Sequence, residues 1–193
     1  MKTICIFCGS NAGQKPAYSR MAQSMGQLLA SKQIGLVYGG GKVGLMGILA
    51  DAMLAAGGQV TGVIPDFLMA KEVGHTGISH MHVVQSMHQR KQLMADLSDA
   101  FIAMPGGIGT MEELFEVFTW GQLGLHPKPL GLLNVAGYYD ALTNFLDHMV
   151  DEGFLKAKNK NMLYIHQQPQ ALLEMMQAYQ PPKVEKWLQK GQE

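Results

Sequence analysis

The chain has 193 residues, enough for one domain with a substantial core and no need of disulfide or metal staples. Its 15 Lys and Arg balance 15 Asp and Glu, so no global basic field exists to hold nucleic acid or an anionic membrane, and an anionic ligand has to be held locally. No apolar stretch reaches the length of a bilayer span, and the opening MKTICIFCGS has the look of a first strand, which predicts a cytoplasmic protein.

Short runs rich in Val, Ile and Leu alternate with longer stretches of helical period, the pattern of a parallel sheet with helices on both faces. In chain order, a first strand is predicted from Lys2 to Cys8 and a helix from Ala17 to Ser31. A second strand, Ile34 to Tyr38, leads into a helix from Leu45 to Ala56. A third, Gln59 to Ile64, leads into the long connection Pro65 to Ser79, a candidate lid on the edge where open α/β sheets bind ligands. The strand His80 to Val84 precedes a helix from Met87 to Asp96, and the strand Asp99 to Met104 precedes one from Met111 to Leu123. Strands Pro129 to Leu133 and Met162 to Ile165 are followed by helices Tyr138 to Glu152 and Gln170 to Ala178. The expectation is a single doubly wound, Rossmann-like α/β domain of about seven strands over residues 1–180, with Pro181 and Pro182 detaching a polar tail, 181–193.

Two clusters that resemble metal or redox sites have simpler explanations. Cys5 and Cys8 lie three apart in a strand, so they face opposite sides, and no second cysteine pair follows. His80 and His82 share a strand face but lack a third ligand at sensible spacing, so no metal is expected. Met46, Met94, Met104 and Met111 read as gap-filling core residues.

Three predicted strands end in glycine-rich turns: Gly9-Ser10-Asn11-Ala12-Gly13, Gly39-Gly40-Gly41-Lys42-Val43-Gly44, and Pro105-Gly106-Gly107-Ile108-Gly109-Thr110. In a parallel sheet all three open on one edge, where backbone N–H groups and helix N-termini can receive phosphate oxygens. Steric need for glycine in a strand-to-helix turn explains any one of them alone. The second turn also satisfies G-x-G-x-x-G through Gly39, Gly41 and Gly44, with Asp66 after the next strand, which leaves a dinucleotide-dependent oxidoreductase as a rival reading. Against it, that fingerprint normally follows the first strand, and it leaves the third turn without a purpose. A non-catalytic nucleotide-binding module is the other alternative.

Thr110 and Glu113 have the spacing of a capping box, in which each side chain satisfies a backbone donor of the other residue. On the functional reading, Thr110 binds phosphate and Glu113 offers a carboxylate to developing positive charge. Met87-His88-Gln89-Arg90-Lys91 puts two cations in the first turn of a helix, where the dipole disfavours them and an anionic ligand offsets the cost. Solvated surface cations are the plainer explanation, but the location after a strand favours the ligand.

CGS near the start, YGGGKVGLMG, GVIP, MHQRK and PGGIGTMEE, in that order, resemble the LOG (Lonely Guy) family of cytokinin-activating phosphoribohydrolases over about Ile4 to Glu152. The resemblance implies hydrolysis of the N-glycosidic bond of a purine nucleoside 5′-monophosphate, cytokinin-type or AMP, to free base and ribose 5-phosphate, by a homodimer without metal or other cofactor. Carried over residue by residue, it implies Arg90 and Glu113 as the catalytic pair, Lys91 beside Arg90 at the substrate, and Glu72 as a further substrate contact. Gly106, Gly107, Gly109 and Thr110 become the phosphate cradle, and Gly9, Ser10, Gly40 and Gly41 at the neighbouring turns are expected to bind the substrate or its phosphate as well. Asn11 stands where a second serine is common in the family. Such sequences have also carried the label lysine decarboxylase, but neither Lys42 nor Lys91 sits in a pyridoxal-lysine context.

Overall fold

The computed structural model describes residues 1–69 and 74–181. Seven parallel strands form one sheet in the order β4-β3-β2-β1-β5-β6-β7. In chain order the elements are β1 (Thr3–Phe7), α1 (Pro16–Ser31), β2 (Gly35–Tyr38), α2 (Gly44–Ala55), β3 (Val60–Pro65), the short α3 (Asp66–Met69), β4 (His80–Val84), α4 (Met87–Asp96) and β5 (Ala100–Ala103). There follow α5 (Ile108–Gln122), β6 (Leu130–Leu133), a 3₁₀ turn (Val135–Gly137), α6 (Asp140–Asp151), the short α7 (Ala157–Lys160), β7 (Leu163–His166) and α8 (Pro169–Gln177). Among the described residues no helix is long and apolar enough to cross a membrane.

Strand periodicity divides the core into two layers. Ile4 and Ile6 of β1 point into one with Met25, Leu29, Leu49 and Met53, while Cys5 and Phe7 point into the other with Phe101, Leu114 and Phe118. Cys5 and Cys8 are therefore in different layers, both buried and unpaired. Helices α1 and α2 approach closely at Gly26, where a Cβ would lie 2.6 Å from Leu49 O. The edge strand β4 exposes His80, His82 and Val83, as a strand with one unpaired side can.

β1 pairs with β2 on one side, Ile4 opposite Leu36, and with β5 on the other, Cys5 opposite Phe101. The chain winds outward from β1 to β4 and then returns to start the second half at β5. The gap above β1 and β5 is the topological switch point, where open α/β sheets bind ligands.

The predicted strands are found within two residues at each end, and most helices as closely. Three differences have physical reasons. The helix expected from Met111 begins at Ile108, because Gly109 is already helical rather than part of the turn. The helix expected from Tyr138 begins at Asp140, after the 3₁₀ turn with its left-handed Ala136 and Gly137. The connection Pro65 to Ser79 holds α3 and an isolated bridge between Gly41 and Gly74, while residues 70–73 lie outside those described. The expected tail, 181–193, lies outside the described residues after Pro181.

Candidate active site

Arg90 and Glu113 meet above the switch point. Ser86 caps α4, its hydroxyl accepting from the Gln89 N–H at 3.2 Å, and one turn later the chain carries Arg90 inward. Arg90 is 6% exposed, which excludes the solvated-cation reading for it. Its Nε donates to Val63 O, within β3, at 3.1 Å and its Nη2 to Gly39 O, just past the end of β2, at 3.0 Å. A Cβ on Gly39 would lie 2.1 Å from that Nη2, so glycine is required there to let the arginine in. The remaining nitrogen, Nη1, lies 3.9 Å from Glu113 Oε1, and both side chains are largely withdrawn from water. With two of its edges fixed by carbonyls, Arg90 is a pre-oriented cation facing one carboxylate.

The capping box is not formed. Helix α5 starts at Ile108 with Gly107 as its N-cap and no side-chain cap, so Thr110 is inside the first turn and Glu113 in the second. Thr110 is 4% exposed, and its Oγ1 occupies the space that a Cβ on Gly106 would need, 2.1 Å away. The first turn of α5 also lacks an acidic residue. Its backbone donors and positive dipole end are thereby offered to the cleft rather than to a cap.

A cavity of ≈ 240 Å³ lies over this helix start, bounded by Cys8, Gly9, Ser10, Met46, Met87, Arg90, Glu112, Glu113 and the stretch 107–110. Burial, and next the nearby Glu113 carboxylate, push the Cys8 thiol up, so it stays a neutral wall. A second cavity of ≈ 280 Å³ adjoins across Gly9, Ser10 and Gly107 and is walled by Tyr18 and Tyr138. The arrangement supplies an anion site, a carboxylate beside it and a fixed guanidinium, within a cleft of nucleotide dimensions.

The second glycine turn is used differently. Gly9 O accepts from the Leu45 and Met46 N–H groups at 3.0 and 3.4 Å, so the start of α2 is occupied by the first turn. Gly44, at φ +63, receives the Ser10 backbone, whose carbonyl carbon would lie 2.2 Å from a Cβ. Gly40, at φ +78, packs on Ile64 and Met81, and its carbonyl accepts from the His75 N–H at 2.9 Å. A pyrophosphate finds no access to this helix start, and Asp66 accepts from the Phe67 N–H at 2.6 Å at the beginning of α3.

The sequence-predicted residues therefore separate. Arg90, Glu113, Gly9, Ser10, Gly107, Gly109 and Thr110 border one cavity, with Gly106 supporting its wall from the neighbouring one. Gly40 and Gly41 do not border it. Lys91 does not border it either; its Nζ lies 2.5 Å from Glu112 Oε1 and 2.9 Å from Glu116 Oε1. Burial alone would lower its ammonium, but the two carboxylates together hold it above the ordinary lysine range. Glu72 lies outside the described residues. Met46, Met87 and Cys8 border the cleft, and Tyr138 the adjoining cavity, without having been expected there; the one available signal was the Tyr138-Tyr139 pair in the connection after β6.

A family profile described as possible lysine decarboxylase matches residues 46–176. Pyridoxal phosphate does not fit this cleft: its described lining holds no lysine, Lys91 is locked between two carboxylates, and Lys42 is exposed at the occupied turn. The cytokinin riboside 5′-monophosphate phosphoribohydrolase LOG7 of Arabidopsis thaliana is 48% identical over 180 residues, 93% of this chain and 83% of that protein. A probable enzyme of the same name from Oryza sativa subsp. japonica is 48% identical over 180 residues, 93% of this chain and 72% of its own. Among solved structures, the structural-genomics target TM1055 superposes with a TM-score of 0.71 at 21% identity, covering 93% of this chain and all of the other. The molybdenum cofactor carrier protein of Chlamydomonas reinhardtii gives 0.67 at 21% identity, covering 92% and 98%. Both structural likenesses are of fold alone.

Proposed function

The chain belongs to the LOG family of cytokinin riboside 5′-monophosphate phosphoribohydrolases, and from that premise we propose that it hydrolyses the N-glycosidic bond of a purine nucleoside 5′-monophosphate to free base and ribose 5-phosphate. The observation that carries the reading is the Arg90–Glu113 pair, 3.9 Å apart, beside the uncapped start of α5. A dinucleotide oxidoreductase is not favoured, because the turn that resembles its fingerprint is filled by Ser10 and by Gly9 O. A simple binding module has no need of a buried arginine aimed at a carboxylate.

The 5′-phosphate is received by the N–H groups of Gly107, Ile108 and Gly109 and by Thr110, with Gly9, Ser10 and Gly106 behind them. As the C1′–N9 bond breaks, its electron pair leaves with the base and the ribose acquires oxocarbenium character. Glu113 stabilises that cation and takes a proton from water as the water oxygen bonds to C1′. Arg90 fixes the Glu113 carboxylate and balances the charge that gathers on the leaving base, which finally takes up a proton. Lys91 in this account braces α4 against α5 through Glu112 and Glu116, one step removed from the substrate. Glu72 is retained as a substrate contact on the family resemblance.

The reading further includes a homodimer in the cytoplasm, with neither nucleic acid nor metal as partner. A groove between α4 and α5 around Trp120, Leu93 and Val84 supports a second copy on that face, and two unpaired cysteines suit a reducing compartment. Light scattering of the purified protein tests the dimer. Chromatography of reactions with AMP, N6-isopentenyl AMP and the corresponding nucleosides tests the activity: base released from the monophosphates alone is expected, and no release from any of them overturns the reading.

A further inference from the structure

Two adjacent tyrosines grip the turn that opens α5. Tyr139 Oη donates to Met104 O at 2.6 Å, and Tyr138 Oη donates to Gly106 O. Between them, Pro105 O accepts from the Gly9 N–H at 3.0 Å. Three successive carbonyls of the turn are thus committed to donors of the protein.

The consequences of these bonds differ because a trans peptide unit points its N–H opposite to its C=O. The Met104–Pro105 unit has no N–H, so holding its carbonyl orients no donor. The Gly106–Gly107 unit has one. With Gly106 O turned toward Tyr138 in the neighbouring cavity, the Gly107 N–H is turned away from Tyr138, and Gly107 itself also borders the cleft of Thr110, Arg90 and Glu113.

The segment that presents Tyr138 is built at a cost. Ala136 sits at φ +51 and Gly137 at φ +74, and a left-handed alanine persists only where its surroundings fix it. Here Asn134 does so, its Nδ2 donating to Asp140 Oδ1 at 2.6 Å and its Oδ1 accepting from the Tyr139 N–H at 2.7 Å. The Tyr138 ring is then held edge-on between Tyr18 and Tyr139, with centroids 5.6 and 4.8 Å away.

We infer that Tyr138 is a positioning residue for the phosphate of the substrate: its hydroxyl sets the Gly107 N–H as an anion donor. The inference rests on the phosphate site under Proposed function. Without the hydroxyl, the Gly106–Gly107 peptide is free to rotate, and the donor facing the phosphate is replaced part of the time by a carbonyl oxygen.

Y138F tests this with Y139F as its internal control, since both variants lose one hydroxyl-to-carbonyl bond of the same turn and keep the ring. Y138F is expected to raise KM for AMP about tenfold and to weaken inorganic phosphate similarly, with a smaller change in kcat and a Tm within about 4 °C of the parent. Y139F, which leaves the buried Met104 carbonyl unsatisfied, is expected to lower Tm more and leave KM within about twofold. Phosphate is followed at the Gly107 amide resonance by NMR, a readout that needs no turnover. Equal KM effects in the two variants, or an unchanged Gly107 response in Y138F, overturn the inference. If the parent protein binds phosphate at Gly107 but releases no base, the glycosidase reading falls while Tyr138 is still judged by the titration; if it binds no phosphate, both fall.

Discussion

The turn Gly39–Gly44 and the turn Pro105–Thr110 look alike in the sequence, each a glycine-rich link from a parallel strand into a helix. In space they are opposites. Cβ atoms placed on Gly39 and Gly44 would lie 2.1 Å from the Arg90 guanidinium and 2.2 Å from the Ser10 backbone, whereas those on Gly107 and Gly109 would meet nothing within 4 Å. The first turn of the pair spends its glycines on letting the protein approach itself. The second uses Gly106 for the approach of Thr110 but leaves the space at Gly107 and Gly109 open to the cleft, and the two helix starts follow suit: Gly9 O occupies that of α2, while α5 has no side-chain cap.

Alanine at these positions separates the two uses. Gly44→Ala combines a left-handed φ with a clash against backbone, so it should cost about 3 kcal/mol or more, read as a large drop in denaturation midpoint. A midpoint near that of the parent would remove the distinction between the turns. Gly39→Ala displaces the flexible end of Arg90 instead, so turnover should fall about a hundredfold with a much smaller loss of stability. Gly109→Ala reverses the sign: helix propensity should raise stability by up to about 1 kcal/mol, while the new methyl enters the cleft and raises KM for the monophosphate several-fold. Unchanged kinetics in that variant would mean that the open space is not the ligand's.

The smallest expected effect lies far from both turns. The N–H groups of Lys2, first, and Thr3 hold the Asp99 carboxyl below its usual range. Its folded pKa is depressed, so its contribution to stability is present above the unfolded carboxylate value and fades as pH falls through the folded one. Asp99→Asn should therefore be slightly less stable than the parent at neutral pH, with the gap closing as pH falls through the lowered folded pKa of Asp99 and base release unaltered.

The strands were legible because parallel central strands such as Ala100–Ala103 and Leu130–Leu133 are buried on both faces and read as unbroken apolar runs. Their alternation with helical period was enough to give the layers, and the shared edge of the three turns followed from parallelism. What the sequence hid was how each glycine is used. Gly109 read as turn but is the second residue of α5, an error that produced a capping box at Thr110 and Glu113 that the chain does not form. Arg90 and Lys91 are neighbours in sequence with the same charge, yet one is carried to Val63 O and Gly39 O and the other to Glu112 and Glu116. A helix turns about 100° per residue, so adjacency could not reveal that the two leave on different sides. Tyr138 escaped notice because its role depends on a carbonyl 32 residues away in the chain.

The central claim is that the open turn and the Arg90–Glu113 pair form one hydrolytic site. Its most direct test is base release from saturating AMP or N6-isopentenyl AMP by Glu113→Gln, alongside binding of ribose 5-phosphate to the same protein. With no capping box to lose, the variant should keep its fold and bind the sugar phosphate while turnover drops at least about a hundredfold. Turnover close to that of the parent would contradict the account and separate Glu113 from the chemistry.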